Sequence, residues 1–229
     1  MRLGDDRDVR KGKQKMRLLS VNIGEALGIK NARRSSKTGI YKQPTSTPVQ
    51  VTLLGLEGNA VCNTKHHGGA DQAVYLYGSE DYLWWANELG YMLEPGTFGE
   101  NLTLSDLLSA EYRIGDRFLV GQVILEVTAP RIPCGTLAAR MGNTKFAERF
   151  QQAERPGLYC RVIQEGGVQE GDTVTLEPYV GQTVTAIEMF RNFYRKDQDE
   201  VTIRRYLAAP IAIRARVAME RQLVALECS

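Results

Sequence analysis

The 229-residue chain contains no run of 18 consecutive apolar residues, which argues against a membrane-spanning helix. Its first residues are charged and lack an apolar core segment, so no secretory signal is visible. Four cysteines, at 62, 134, 160 and 228, show no CxxC spacing. A disulfide framework, a four-cysteine zinc site and an iron–sulfur ligand set are thereby disfavoured, and the simplest address is the reducing cytoplasm. The only two histidines, His66 and His67, are adjacent. In extended chain they point to opposite sides and make a poor bidentate metal pair. There is no HExxH, GxSxG, Walker A or GxGxxG followed by a helix, and no flavin or nicotinamide fingerprint. A net charge of +2 suggests neither a nucleic-acid nor a membrane-surface partner.

What is present is the composition of an ordinary globular protein, with 43% hydrophobic and 24% charged residues. Residues 1–15 carry nine charged side chains and almost nothing to bury; they read as a flexible tail. From 16 to about 180, short strands alternate with Gly, Pro, Asn and Asp. The strand candidates are 17–23, 49–53, 73–77, 117–120, 123–127, 158–163 and 173–177. Closely spaced strands with few long helices predict a barrel or strongly bent sheet, mainly β with some α. Ser79 to Leu89 reads as a helix that Ser79 caps and Gly90 stops, and a second is expected over 144–152. Beyond Tyr179 the chain turns helix-like at 185–195, 200–208 and 211–226. Residues 181–229 are therefore expected to form a three-helix extension packed on the main domain. In its last helix, Ile211, Ala215, Ala218 and Gln222 are the predicted inner face.

Chemistry concentrates in four places. The apolar strand Val123–Val127 is stopped by Pro130 and Pro133, and Cys134 follows beside Arg131, ahead of a helix-compatible stretch from Thr136 to Met141. A thiol at a helix start near an arginine favours the thiolate, a nucleophile or soft metal ligand; an inert buried thiol is the ordinary alternative. Gly68 and Gly69, beside His67 and Asp71, offer backbone N–H groups to an anion, though His67 also suits a structural turn. Gly96 to Leu102 sets Phe98, Glu100 and Asn101 in a second glycine-bearing loop. Gly55-Leu56-Glu57-Gly58-Asn59 is a third. Tyr75, Tyr77, Tyr82, Trp84 and Trp85 are expected in the core. Among the other cysteines, Cys62 lies in a polar loop, Cys160 in an apolar strand and Cys228 at the C-terminus.

Taken in order, these segments resemble the MOSC family, the domain at the C-terminal end of molybdenum cofactor sulfurases. The resemblance runs across residues 16–178 through Lys37-Thr38-Gly39-Ile40, Pro48-Val49, Gly55–Asn59, His67–Ala73, Tyr82 with Trp85, Gly96–Leu102, Ile114-Gly115-Asp116 and Pro130–Cys134. Residues 183–226 resemble the extension of the stand-alone YiiM-like branch. Asn59 departs from the family's usual Asp, and Gly135-Thr136 stands where a lysine is common. The resemblance implies a β-barrel-like fold and a pocket for a molybdenum pterin cofactor, with Cys134 as molybdenum ligand and catalytic residue, or as a sulfur carrier. Lys37, Gly58, Asn59, Lys65, His67, Gly68, Gly69, Asp71, Phe98, Gly99, Glu100, Asn101, Arg131 and Arg161 are the implied cofactor-binding residues. The implied activity is reduction of N-hydroxylated bases or amines, with electrons from a separate reductase protein. The alternative is a non-redox cofactor or sulfur carrier using a Cys134 persulfide. Pyridoxal phosphate binding is an association of the domain only, and the resemblance leaves a homodimer open.

Overall fold

A computed structural model describes residues 16–29, 37–62, 68–195 and 198–227. The readings of the 1–15 tail, Lys65, His66, His67 and Cys228 fall outside the described residues.

Buried and more exposed residues alternate in the strands at the start of Met16–Ile23, in Arg117–Val120 and in Leu158–Val162, as a half-buried surface requires, whereas Val74–Gly78 is buried throughout. Seven of these strands form a ring. They are β1 (Met16–Ile23), β7 (Val74–Gly78), β8 (Leu102–Leu104), β9 (Arg117–Val120), β10 (Val123–Pro130), β11 (Leu158–Gln164) and β13 (Thr173–Glu177). The hydrogen-bonded order is β13-β9-β10-β11-β7-β8-β1, and β1 pairs with β13 to close the barrel. The closing register is short, Met16 opposite Val174 and Arg17 opposite Thr173. All pairs in the ring are antiparallel except β7 with β8. That parallel pair requires a crossover, which α1 (Ser79–Leu89) and the loop after it supply. Gly78 makes the turn into α1 feasible, because a Cβ there would stand 1.7 Å from the Leu107 carbonyl oxygen.

The remaining strands are small. β4 (Gln43–Thr45) pairs with the free edge of β1, β2 (Leu27–Gly28) with β3 (Lys37–Thr38), and β5 (Val49–Thr52) lies between β6 (Gly55–Leu56) and β12 (Gly166–Val168). The strand expected at 49–53 thus belongs to a side sheet rather than to the barrel wall. Ser79 does not cap α1: Gly78 occupies the cap position, and Ser79 Oγ donates to Glu80 instead. Gly90 ends α1 in the left-handed conformation, as a C-terminal glycine commonly does.

Two short helices, α2 (Gly135–Arg140) and α3 (Phe146–Ala153), follow β10. They cover an aromatic cluster in which Trp85, Phe98, Phe146, Phe150, Tyr77 and Tyr82 pack together. A second, largely aliphatic core fills the barrel, with Leu18, Leu76, Leu102, Phe118, Leu125 and Val127 fully buried. Each such side chain contributes roughly 1.5–3 kcal/mol by leaving water.

The aliphatic core continues into the C-terminal helices α4 (Ala186–Phe193), α5 (Glu200–Ala208) and α6 (Ile213–Glu227), through Ala186, Met189, Ile203, Tyr206 and Met219. Thr185 and Asp199 cap α4 and α5 through bonds from the N–H groups of Glu188 and Thr202. The inner face of α6 is Ala215, Met219 and Leu223, a clean four-residue spacing. Ala218 is exposed, and Ile211 is buried but lies before the helix. The predicted inner face was thus rotated around the axis, because Ala and Gln gave too weak a periodic signal to fix it.

Candidate active site

A cavity of about 550 Å³ opens beside the barrel. The turn from Lys37 to Lys42, the loop from Asn59 to Cys62, Gly68, Gln72, the inner end of β7, Gly99, Asn101 and the Arg131–Thr136 segment enclose it. Lys37, Asn59, Gly68, Gly99, Asn101, Arg131 and Cys134, all named from the sequence, line this one space. Among the described residues it has three cationic side chains, Lys37, Lys42 and Arg131, and no Asp or Glu on its wall.

Cys134 is half-buried and stands at the cap of α2, where its carbonyl accepts the N–H groups of Leu137 and Ala138. The helix has only six residues, so its dipole adds little. The nearby cation matters more: Arg131 lies within electrostatic reach of Cys134. Arg131 is 5% exposed, donates Nη1 to the Phe98 carbonyl, and lies over the Tyr75 ring at 5.1 Å. Its Nε has no partner within the described residues. Gly99, beside this guanidinium, adopts φ +77°, and a Cβ there would stand 3.0 Å from Ile40 Cγ1.

Asn101 holds the cavity floor. Its Oδ1 accepts the Tyr75 N–H at 3.1 Å, and its backbone N–H donates to the Tyr75 carbonyl at 2.8 Å. Its Nδ2 is buried and has no partner within the described residues. Two buried donors left open in one cavity are unusual, since such groups are nearly always satisfied. They match a ligand rich in acceptor oxygens.

Other residues named from the sequence stand elsewhere. Phe98 is in the aromatic core and reaches the site only through its carbonyl. Glu100 is wholly buried behind the wall, and its Oε1 accepts from Tyr82, Gly96 and Thr103. Burial raises its carboxyl above the ordinary value, with those hydrogen bonds pulling the other way. Gly58 and Gly69 do not line the cavity; Gly58 turns the chain at φ +76° ahead of Asn59.

Asp71 and Arg161 also do not line it. Arg161 Nε lies 3.0 Å from Asp71 Oδ1, though not aligned as a hydrogen bond. Arg161 Nη2 donates to the carbonyls of Pro210 and Ile211, and Asp71 Oδ2 accepts the Ile213 N–H at 2.6 Å. This ion pair clasps the C-terminal extension to the barrel.

The sequence reading missed Lys42, Tyr75, Tyr159 and Cys62 as cavity residues. Lys42 sits five residues beyond the quoted Lys37, and nothing in its neighbours signals burial. Tyr75 belonged to a cluster read as core, and one face of it does serve the cavity. Among the described residues no group of three or more His, Cys, Asp or Glu could hold a metal.

The MOSC domain model matches residues 63–175. YflK of Bacillus subtilis is 34% identical over 159 residues, which are 69% of this chain and 72% of that protein. The chain belongs to the MOSC family. A relative from Gibberella moniliformis, named a reductase, is 31% identical over 157 residues, covering 66% of this chain and 28% of that longer protein. The crystal structure of YiiM from Geobacillus stearothermophilus superposes with a TM-score of 0.75 at 25% identity, covering 91% of this chain and 99% of that one. That coverage exceeds the barrel residues alone, so the C-terminal helices share in the likeness to YiiM. No helix of this MOSC protein is long and apolar enough to cross a membrane, among the described residues.

Proposed function

We propose that the cavity holds a phosphate-bearing molybdenum pterin and that the protein reduces N-hydroxylated bases or amines. The observation that carries this is a half-buried thiol and three cations lining one space, with no carboxylate among the described residues of its wall. The residues fit such a group. Cys134 supplies the soft donor that a metal already wrapped in sulfur ligands accepts. Arg131 and Lys37 suit a phosphate, Arg131 through a planar array of N–H donors. Asn101 Nδ2 and Arg131 Nε are open donors for ring or phosphate oxygens. Bound there, the cofactor supplies two-electron redox chemistry.

The chain's own residues bind, orient and exclude water. Tyr75 and Tyr159, with ring centroids 5.0 Å apart and planes tilted by 39°, give the cavity an aromatic wall suited to a heterocycle. Lacking iron–sulfur, flavin or nicotinamide motifs, the chain needs electrons from a separate reductase protein. The name of the fungal relative supports a redox role over a carrier role, in which Cys134 would hold sulfur as a persulfide.

The test is expression in a host that makes the cofactor, followed by measurement of bound molybdenum and pterin. Turnover of a hydroxylamine with a chemical electron donor is then assayed. Bound cofactor with turnover supports the reading. Bound cofactor without turnover favours the carrier, and no bound cofactor defeats both.

A further inference from the structure

Lys42 is the unusual side chain of the cavity wall. It is only 6% exposed, where lysine is rarely found. A buried ammonium ordinarily meets a carboxylate. Here Nζ donates to Asn59 Oδ1, a neutral acceptor that also takes the Gly24 N–H. Within the described residues Lys42 forms no ion pair. Among the described residues the charged groups around it are Glu100, from the loop before β8, and Arg131, from the end of β10. Gly24 and Gly96 pack against its turn and bring no charge. Burial and Arg131 pull the ammonium down to about 8, against the opposing pull of Glu100.

We infer that Lys42 is the proton donor of the cavity, passing its Nζ proton to the oxygen that leaves a bound substrate while Asn59 holds the amine in place. This rests on the reductase reading above. The balance is R2N–OH + 2e− + 2H+ → R2NH + H2O. The N–O bond breaks, and the electrons come from the separate reductase protein. One proton, from Lys42, turns the departing hydroxide into water. The second reaches nitrogen from solvent, which also recharges Lys42. Arg131 cannot serve, because a guanidinium does not release its proton in a protein. Cys134 is committed to the metal on the same reading.

The first measurement needs no cofactor. In the full chain labelled with carbon-13 at lysine Cε, the Lys42 resonance should titrate near pH 8, apart from lysines near the ordinary value of about 10.4. A Lys42 midpoint at the ordinary value overturns the inference whatever the activity. The second uses loaded enzyme with a chemical electron donor. Because the protonated form is required, kcat should fall about tenfold per pH unit above the Lys42 midpoint. Asn59→Asp places a carboxylate beside Nζ and should move that limb to higher pH; an unmoved limb overturns the assignment.

Lys42→Met should lose roughly 10²–10⁴-fold in kcat on an N-hydroxy substrate. It should lose far less on the O-acetyl analogue, whose carboxylate departs without a proton. Equal losses on both overturn the donor role. If Lys42→Met does not fold, Asn59→Asp decides. A wild type that turns over neither substrate, yet titrates at Lys42 near pH 8, overturns the reductase reading and leaves the proton site standing.

Discussion

Asp71 and Arg161 close on each other and on the chain entering α6, whereas Lys42, Asn101 and Arg131 surround a cavity with polar atoms to spare. Both groups looked alike as sequence: polar residues beside glycine or in strands. The difference lies in what each group meets. Arg161 and Asp71 meet opposite charge and the backbone of Pro210, Ile211 and Ile213, although Arg161 Nε is not aligned as a hydrogen bond, whereas Arg131 and Asn101 have unpartnered donors on a cavity. A buried group with donors left over costs about 1–3 kcal/mol for each until something fills it, and a ligand is the natural filler.

The largest effect that sharpens this contrast lies on the open side. Cys134→Ser replaces a soft thiolate by a hydroxyl that stays protonated. Bound molybdenum should fall by more than the roughly 10–100-fold that outer partners of a metal site are worth, with little change in melting temperature. Elemental analysis of protein purified from a cofactor-competent host reads this directly. Undiminished metal in the serine variant sinks the ligand role.

Next comes the clasp. Asp71→Ala leaves the Ile213 N–H without its acceptor and Arg161 with only the more distant Glu126 carboxylate at 3.7 Å, so stability should drop by about 1–3 kcal/mol. Amides of α6 should exchange faster with solvent, while sulfate or phosphate affinity of the cavity stays unchanged. A loss of anion binding as large as the loss of stability would merge the two groups that the structure separates.

Glu100 stands between them, fully buried behind the cavity wall. Folding raises its carboxyl above the ordinary value, chiefly by burial. Such a group favours the fold below its unfolded value, and that contribution is lost as pH rises through the folded one. Glu100→Gln removes the titration. Its stability relative to wild type should therefore improve as pH climbs from about 4 toward neutrality. Chemical denaturation across that range would show a flat or opposite trend if Glu100 were not the titrating group.

The smallest effect belongs to Arg214 of α6, an exposed residue that donates to the Gly68 carbonyl and Gln72 Oε1 at the cavity edge. Arg214→Ala should change stability by no more than about 0.5 kcal/mol, measured by the same denaturation.

The barrel was legible because β-rich periodicity and turn residues are local. Strands at 117–120 and 173–177 and the helix at 79–89 are found where the sequence put them. The short β8, which carries the parallel pairing, is only three residues long, and it was legible through the turn residues before it, as a strand at 101–104, rather than through periodicity. At the site, glycine-bearing loops and Cys134 announced themselves through residue type. Lys42 did not, because burial of a lysine depends on what the distant loops at 96–101 and 59–62 bring over it. Asp71 and Arg161 misled for the complementary reason. Their partners Pro210, Ile211 and Ile213 lie far along the chain, and only the folded protein shows their charges spent on one another.

The short register between β1 and β13 also has a consequence in time. Arg17 and Thr173 are 156 residues apart, so the ring cannot close until nearly the whole barrel exists. At about 5–20 residues per second, synthesis alone separates the two strands by roughly 8–30 s. During that interval Leu18 and Val21, destined for the core, must be sheltered by β8 and β4 or by a chaperone. Contacts of such long sequence separation also make for slow folding, in the range of milliseconds to seconds for small barrels. The seam should therefore be the last part of the barrel to form during refolding, and pulse-labelling of the backbone amides of Arg17 and Val174 would time it.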